Sequence, residues 1–265
     1  MKSIDLWPED FCEGKCKSKE FRPSLDIYTL DTSEAIGAVI VCPGGGYSHR
    51  APHEGECIAE RFNQLGFHAF VLQYRVAPNQ FPSPQQDVFR AIKLVRSKAS
   101  EWNVKSDKIA VCGFSAGGHL TASSGTLFNE VNAKCGDEAD ITSQRPDALI
   151  LCYPVISSGE HGHQGSFNNL LGNDSSNDLR DKYSLEKRIT SETPPTFIWH
   201  TAEDEGVPVE NSLLFSFGLS KNKIPFELHV FPEGRHGLGL GVDDSIPEIR
   251  VWPELCATWL RKMNW

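Results

Sequence analysis

The stretch that most constrains this chain is an apolar run, Ile109-Ala110-Val111-Cys112, that passes directly into Gly113-Phe114-Ser115-Ala116-Gly117-Gly118 and then into a helical segment. An unbroken apolar run bounded by glycine predicts a strand buried on both faces. A strand that gives way to a helix within one or two residues must turn sharply, and glycines at 113 and 117 let neighbouring backbone approach closely. The serine at the apex is lifted above the sheet edge, with a helix N-terminus beneath it that favours developing negative charge. Ser115 is therefore the candidate nucleophile. The string G-x-S-x-G alone arises by accident in roughly one chain in ten of this length at average glycine and serine usage. Its position between strand and helix, with a further glycine at 118, makes it specific.

The rest of the chain repeats the same rhythm. Short β-rich runs at 25–30, 38–42, 67–74, 148–152, 196–201 and 226–231, several of them continuously apolar, predict further strands. Amphipathic periods separate them. One covers about 54–65 and stops at Gly66. The next is expected to take Ser83 as N-cap, Pro84 at its first position and Gln86 to close a capping box. It continues through Val88, Ile92, Val95, Ala99 and Trp102. Further helices follow Ser115, cover roughly 209–222 and close the chain, where Trp252, Cys256, Trp259 and Met263 share a face. Strand–helix alternation predicts an α/β architecture, a mostly parallel central sheet with helices on both faces. One stretch breaks the pattern. Residues 154–193 are rich in Ser, Gly, Asn and Asp and too long for a plain connection, so they are expected to form a cap-like insertion in a single domain spanning residues 1–265.

After the run 38–42 comes Pro43-Gly44-Gly45-Gly46-Tyr47. Successive glycines allow main-chain N–H groups to face a substrate oxygen with no side chain in the way. With the N–H of Ala116 they would hold a tetrahedral oxyanion. A phosphate-binding loop would need Lys-Ser/Thr after the glycines, and none follows.

A serine nucleophile needs a base and an acid, and with this turn they follow it in the order acid, histidine. The run 196–201 leads into Ala202-Glu203-Asp204-Glu205-Gly206-Val207-Pro208, where three carboxylates compete. Asp204, in the turn before Val207-Pro208, is preferred over Glu203 and Glu205. The run 226–231 leads into Pro232-Glu233-Gly234-Arg235-His236-Gly237, and His236, beside a glycine at a strand exit, is the candidate base. His119, His200 and His229 lie within predicted helix or strand. His161 and His163 in the insertion read as polar loop residues before metal ligands, and Cys12-x3-Cys16 lacks the second pair that a zinc site would need. No metal and no organic cofactor is expected.

Among 265 residues the formal net charge is −9 and no basic cluster occurs, which argues against nucleic-acid partners. No apolar run approaches 18 residues and the N-terminus does not read as a signal peptide, so neither a membrane partner nor export is expected. Eight cysteines, several in apolar runs, read as free thiols of a reducing compartment, and a cytoplasmic location is expected. A homo-oligomer is compatible with all of this.

With these residues in view the sequence resembles the esterase branch of the α/β-hydrolases that includes the hormone-sensitive-lipase-like carboxylesterases. It is most similar to bacterial acetyl-xylan and feruloyl esterases and small sugar-ester hydrolases. The resemblance runs from about Leu25 to the C-terminus. It rests on Cys42-Pro43-Gly44-Gly45-Gly46-Tyr47, Gln73-Tyr74-Arg75-Val76-Ala77-Pro78, the turn at Ser115, Trp199-His200-Thr201-Ala202-Glu203-Asp204 and Arg235-His236-Gly237. It implies the α/β-hydrolase fold, a Ser115–His236–Asp204 triad, and Gly45, Gly46 and Ala116 as oxyanion donors. Pro43 stands where lipase-like relatives have His, and Phe114 where they have Asp; both shift the match toward the sugar-ester group. The implied activity is serine-esterase hydrolysis of short, acetyl-type esters, on a small-molecule substrate such as an acetylated sugar, with Tyr47 placed to stack on a sugar ring. A general carboxylesterase or an arylformamidase would use the same groups. A peptidase of the prolyl-oligopeptidase type would need a large extra domain, and a non-catalytic binding protein would be expected to have lost a triad member. Arg75 is placed to pair with Asp87 beneath the site.

Overall fold

The computed structural model describes residues 2–8, 21–241 and 246–265; Cys12 and Cys16 lie outside them. The described strands are β1 Lys2–Asp5, β2 Ser24–Tyr28, β3 Ile36–Cys42, β4 His68–Gln73, β5 Val104–Phe114, β6 Ala148–Cys152, β7 Thr196–Thr201 and β8 Phe226–Phe231. Among the described residues they form one eight-stranded sheet in the order β1-β2-β4-β3-β5-β6-β7-β8. From β4 to β8 every neighbour is parallel. β1 and β2 join antiparallel at one edge.

The period of two along each strand divides the interior into two layers. On β5, Ile109 and Val111 face one layer while Ala110, Cys112 and Phe114 face the other. β3 and β6 alternate in the same way. The helices α2 Ser83–Ser97, α3 Ala116–Thr126 and α6 Glu210–Lys221 cover the first layer through Val88, Ile92, Leu120 and Phe215. The helices α1 Glu56–Gln64 and α7 Trp252–Lys262 cover the second through Ile58, Phe62, Trp252 and Leu260. The expected mostly parallel sheet with helices on both faces is what forms.

Three local expectations meet a different outcome. β1 is not among the expected strands, because its sequence, Lys-Ser-Ile-Asp, has too little apolar content to announce itself. The capping box at 83–86 does not form. α2 is capped by Pro82, Ser83 is already inside it, and the Gln86 side chain donates instead to the Asn132 carbonyl. Ala99 and Trp102 lie beyond the end of α2 but remain buried.

Residues 154–193 carry two short helices, α4 Gln164–Leu171 and α5 Asn177–Lys182. They are tied back to the body of the chain by Phe81 N–H to the Leu170 carbonyl and Ile156 N–H to Asn211 Oδ1. The six described cysteines are free thiols, with Cys112 and Cys152 sulfurs 4.0 Å apart. Among the described residues no helix is long and apolar enough to cross a membrane.

Candidate active site

Parallel strands deliver their carboxyl ends to one edge of the sheet, and a crevice at that edge is where such folds place ligands. The loops after β3, β5, β7 and β8 contribute the glycine loop, Ser115, Asp204 and His236 in turn.

Ser115 sits at φ 52°, ψ −118°, a conformation unfavourable for a side-chain-bearing residue by about 1–3 kcal/mol. Packing holds it there. A Cβ at Gly113 would lie 2.1 Å from the Gly117 carbonyl oxygen, and one at Gly117 would lie 2.1 Å from the Cys42 oxygen. Neither position tolerates a side chain. The Ser115 N–H donates to the Cys152 carbonyl and its own carbonyl accepts from Val155, so the turn is fastened to β6 on both sides.

The Ser115 hydroxyl is 2.7 Å from His236 Nε2, and His236 Nδ1 is 2.7 Å from Asp204 Oδ2. A carboxylate can only accept, so the imidazole proton sits on Nδ1 and Nε2 is left to accept from the serine. Asp204 Oδ1 accepts from the N–H groups of Gly206 and Val207 at 2.9 and 2.8 Å. His200, fully buried, approaches Oδ2 with its Nε2 at 3.3 Å. That nitrogen also lies 2.9 Å from the Val207 carbonyl, while Nδ1 meets the Ser212 hydroxyl at 2.7 Å, so Nε2 carries the proton and donates. Burial alone would raise the Asp204 carboxyl. The hydrogen bonds from His200 and His236, the His236 charge and the Val207 amide outweigh it and hold the group well below the usual carboxylate range. The neighbouring acids Glu203 and Glu205 are exposed.

In the glycine loop the Gly44 N–H is taken by Glu54 Oε2 at 2.7 Å. Gly45 and Gly46 have φ of +117° and +63°, and among the described residues no protein partner takes their N–H groups or that of Ala116, the first residue of α3. The three proposed donors are thus unengaged; Gly45 and Gly46 line the cleft that holds Ser115 and His236, and Ala116 directly follows Ser115. That cleft has a volume of about 400 Å³; Ser48, His49, His163 and Asn169 line it further.

Tyr47 does not reach the cleft. It is 1% exposed, its hydroxyl is 2.9 Å from His119 Nδ1, and its ring packs edge-on against Tyr74 and His119. The backbone at Tyr47 takes φ +58°, which turns the side chain into the core. It is a packing residue and not a sugar platform. Arg75 and Asp87 do pair, bidentately and fully buried, at 2.7 and 2.9 Å, and Trp7 Nε1 donates to the same carboxylate at 2.7 Å. Among the described residues one cluster, Cys135, Asp137 and Asp140, has metal-ligand spacing, but both acids already face Arg90 and Asp140 also faces Lys93.

Two site residues escape a reading of the sequence. Glu54, 2% exposed, accepts from Gly44 and, at 2.6 Å, from the Tyr153 hydroxyl. Tyr153 in turn accepts from the Gly239 N–H at 2.8 Å, and its ring lies edge-on to His236 with centroids 5.1 Å apart. One carboxylate and one phenol therefore join the glycine loop, the exit of β6 and the histidine loop. A tyrosine at the very exit of a fully buried strand was the available signal.

The chain is similar to known proteins in sequence and fold. The BD-FAE family matches residues 25–219. The crystal structure of an acetyl ester-xyloside bifunctional hydrolase from Caldicellulosiruptor lactoaceticus superposes with a TM-score of 0.93 at 45% identity, over 99% of this chain and 96% of that one. Endo-1,4-beta-xylanase B of Butyrivibrio fibrisolvens is 41% identical over 91% of this chain, and the acetylxylan esterase of Xylanibacter ruminicola is 33% identical over 81%. The chain spans 38% and 45% of the length of these two curated relatives. From the sheet, the loops at its carboxyl edge and the match over residues 25–219, the chain belongs to the BD-FAE family of α/β-hydrolase esterases.

Proposed function

We propose that the protein hydrolyses short-chain, acetyl-type carboxylic esters of sugars through an acyl-enzyme on Ser115. The observation that carries this reading is the unbroken relay from Ser115 Oγ through His236 to Asp204, both links 2.7 Å long, opening on a cleft of about 400 Å³. His236 takes the serine proton as Oγ attacks the ester carbonyl, and the amides of Gly45, Gly46 and Ala116 receive the oxyanion. The imidazolium, stabilised by the ionised Asp204, protonates the departing alcohol. The imidazole, neutral again, draws a proton from the water that attacks the acyl-enzyme and returns it to Ser115 Oγ as the acid leaves. Ser48, His49, His163 and Asn169 on the cleft walls offer hydrogen-bonding groups, which supports an alcohol that carries hydroxyls. The acetylxylan esterase and the acetyl ester-xyloside hydrolase among the relatives support the same substrate class. On this reading residues 154–193 are a cap inserted in one catalytic domain.

An organophosphonate probe is expected to label Ser115 stoichiometrically, and Ser115→Ala to abolish both labelling and acetate release from acetylated xylo-oligosaccharides. kcat/KM is expected to fall from p-nitrophenyl butyrate to octanoate. Undiminished labelling in the variant would remove the nucleophile; preference for octanoate would make the protein a general carboxylesterase.

A further inference from the structure

His163 is the part of the cleft that the relay leaves unused. It stands at the N-cap of α4, and its Nδ1 lies 3.2 Å from the Ser166 N–H and 2.8 Å from the Ser166 hydroxyl. An amide N–H can only donate, so Nδ1 accepts and the ring proton sits on Nε2. Among the described residues no protein group accepts from that Nε2–H, and the side chain forms part of the same wall as Ser115 and His236. The ring is packed between two glycines. A Cβ at Gly165 would lie 3.3 Å from its Cε1, and one at Gly46 would lie 4.0 Å from the same atom. Asn169, further along α4, donates to the Gly46 carbonyl at 2.8 Å and fixes the helix against the glycine loop. The imidazole is therefore held in place, in one tautomer, with one unspent donor.

We propose that His163 is a specificity residue that donates a hydrogen bond from Nε2 to a free hydroxyl of the alcohol half of the ester. This rests on the ester-hydrolase reading above. His236 must reach the leaving oxygen to protonate it, so the alcohol half lies on the His236 side of the cleft. His163 lines the same cleft as His236, beside Gly46 of the glycine loop. Burial, followed by the His236 charge, pushes His163 down from its ordinary value, which keeps it a neutral donor. A hydroxylated alcohol accepts that hydrogen bond; an unsubstituted one offers the half-buried donor no partner. A sugar ring, with hydroxyls beside the esterified position, satisfies the geometry that a simple alkyl ester cannot.

The test varies only the alcohol. Acetates of xylobiose and glycerol, which keep free hydroxyls, are compared with methyl acetate for the wild type, His163→Ala and His163→Gln. His163→Ala is expected to lower kcat/KM about tenfold on the hydroxylated acetates, as loss of one neutral hydrogen bond would, and to change methyl acetate less than twofold. His163→Gln, which retains an N–H donor, is expected to recover part of the loss. Phosphonate labelling of Ser115 should proceed at the wild-type rate in both variants, which also reports an intact site. Equal losses on all three acetates, or no loss on any, would overturn the assignment. Failure of the wild type to take the phosphonate would instead sink the ester reading itself, and this inference with it.

Discussion

Among single residues, the proposed choice between three adjacent acids rests on what each carboxylate touches. Asp204 accepts from two backbone amides and two imidazoles, while Glu203 and Glu205 face solvent. Asp204→Asn should leave the fold intact and lower kcat by about four orders of magnitude, because the amide can donate to Nδ1 and so favours the wrong imidazole tautomer. Glu203→Gln and Glu205→Gln should stay within about twofold of wild type, the usual range for a surface change. The folded Asp204 pKa is depressed, so the carboxylate is ionised through the whole working range and its contribution to stability is lost only as pH falls through that low value. Protonation of Asp204 is then not expected to supply the acid limb of a kcat/KM profile. A profile whose acid limb moved on replacing Glu203 or Glu205 would assign the acid wrongly.

Between elements, catalysis depends on loops that leave different strands yet must agree to within a fraction of an ångström. Glu54 and Tyr153 are the described side chains that span three of them, from Gly44 after β3 to Gly239 beyond the histidine. Both groups facing the Glu54 carboxylate are donors. Glu54→Gln would turn an N–H2 toward one of them and leave a buried donor unmet, a cost of about 1–3 kcal/mol. Because the lost contact positions the groups around the substrate carbonyl and does not bind substrate, kcat should drop by about one to two orders of magnitude while KM stays nearly unchanged. Phosphonate labelling of Ser115 should slow in step. Tyr153→Phe should follow the same pattern. A lowered Tm with kcat preserved would show that the bridge only stabilises. The insertion belongs to the same assembly of loops, since α4 brings both His163 and Asn169 to the glycine loop.

Across the molecule, His119 is a point where distant segments meet. Its Nδ1 accepts from Tyr47 after β3, and its Nε2 donates to the Tyr183 carbonyl at the far end of the insertion. Burial pushes the imidazole down to about 4, partly opposed by the Tyr183 hydrogen bond. In the unfolded chain it would protonate near 6.5. Between those values the unfolded state binds the extra proton, so stability is full above 6.5, falls as pH drops toward 4, and falls no further from this group below that. The slope is one proton, about 1.4 kcal/mol per pH unit, or about 3 kcal/mol across the window. Urea unfolding at pH 7 and pH 5 should show the wild type losing about 2 kcal/mol more than His119→Gln over that interval. Equal losses in the two proteins would place the acid sensitivity elsewhere.

Features that depend on neighbours along the chain can be read before any folding is considered. The strands 148–152 and 196–201 are legible residue for residue, because a strand of a parallel sheet covered on both faces is largely apolar; 226–231, a half-exposed edge strand, is legible from its alternating apolar residues. The turn at Ser115 is legible because Gly113 and Gly117 meet backbone within about one turn of chain and across one strand. Asp204 and His236 are legible as residues at strand exits, since the fold brings those exits to one edge. Orientation and long-range pairing arise only in the folded chain. Tyr47 looks free in sequence, yet a left-handed backbone turns it onto His119, 72 residues away. His200 reads as a strand residue and becomes a second donor to Asp204. Glu54 and Tyr153, 99 residues apart, form one hydrogen bond that no local pattern encodes. Hydrophobic periodicity specifies which face of an element is buried. Which polar groups meet inside that burial depends on where the sheet order sets each loop, and that order exists only once the chain has folded.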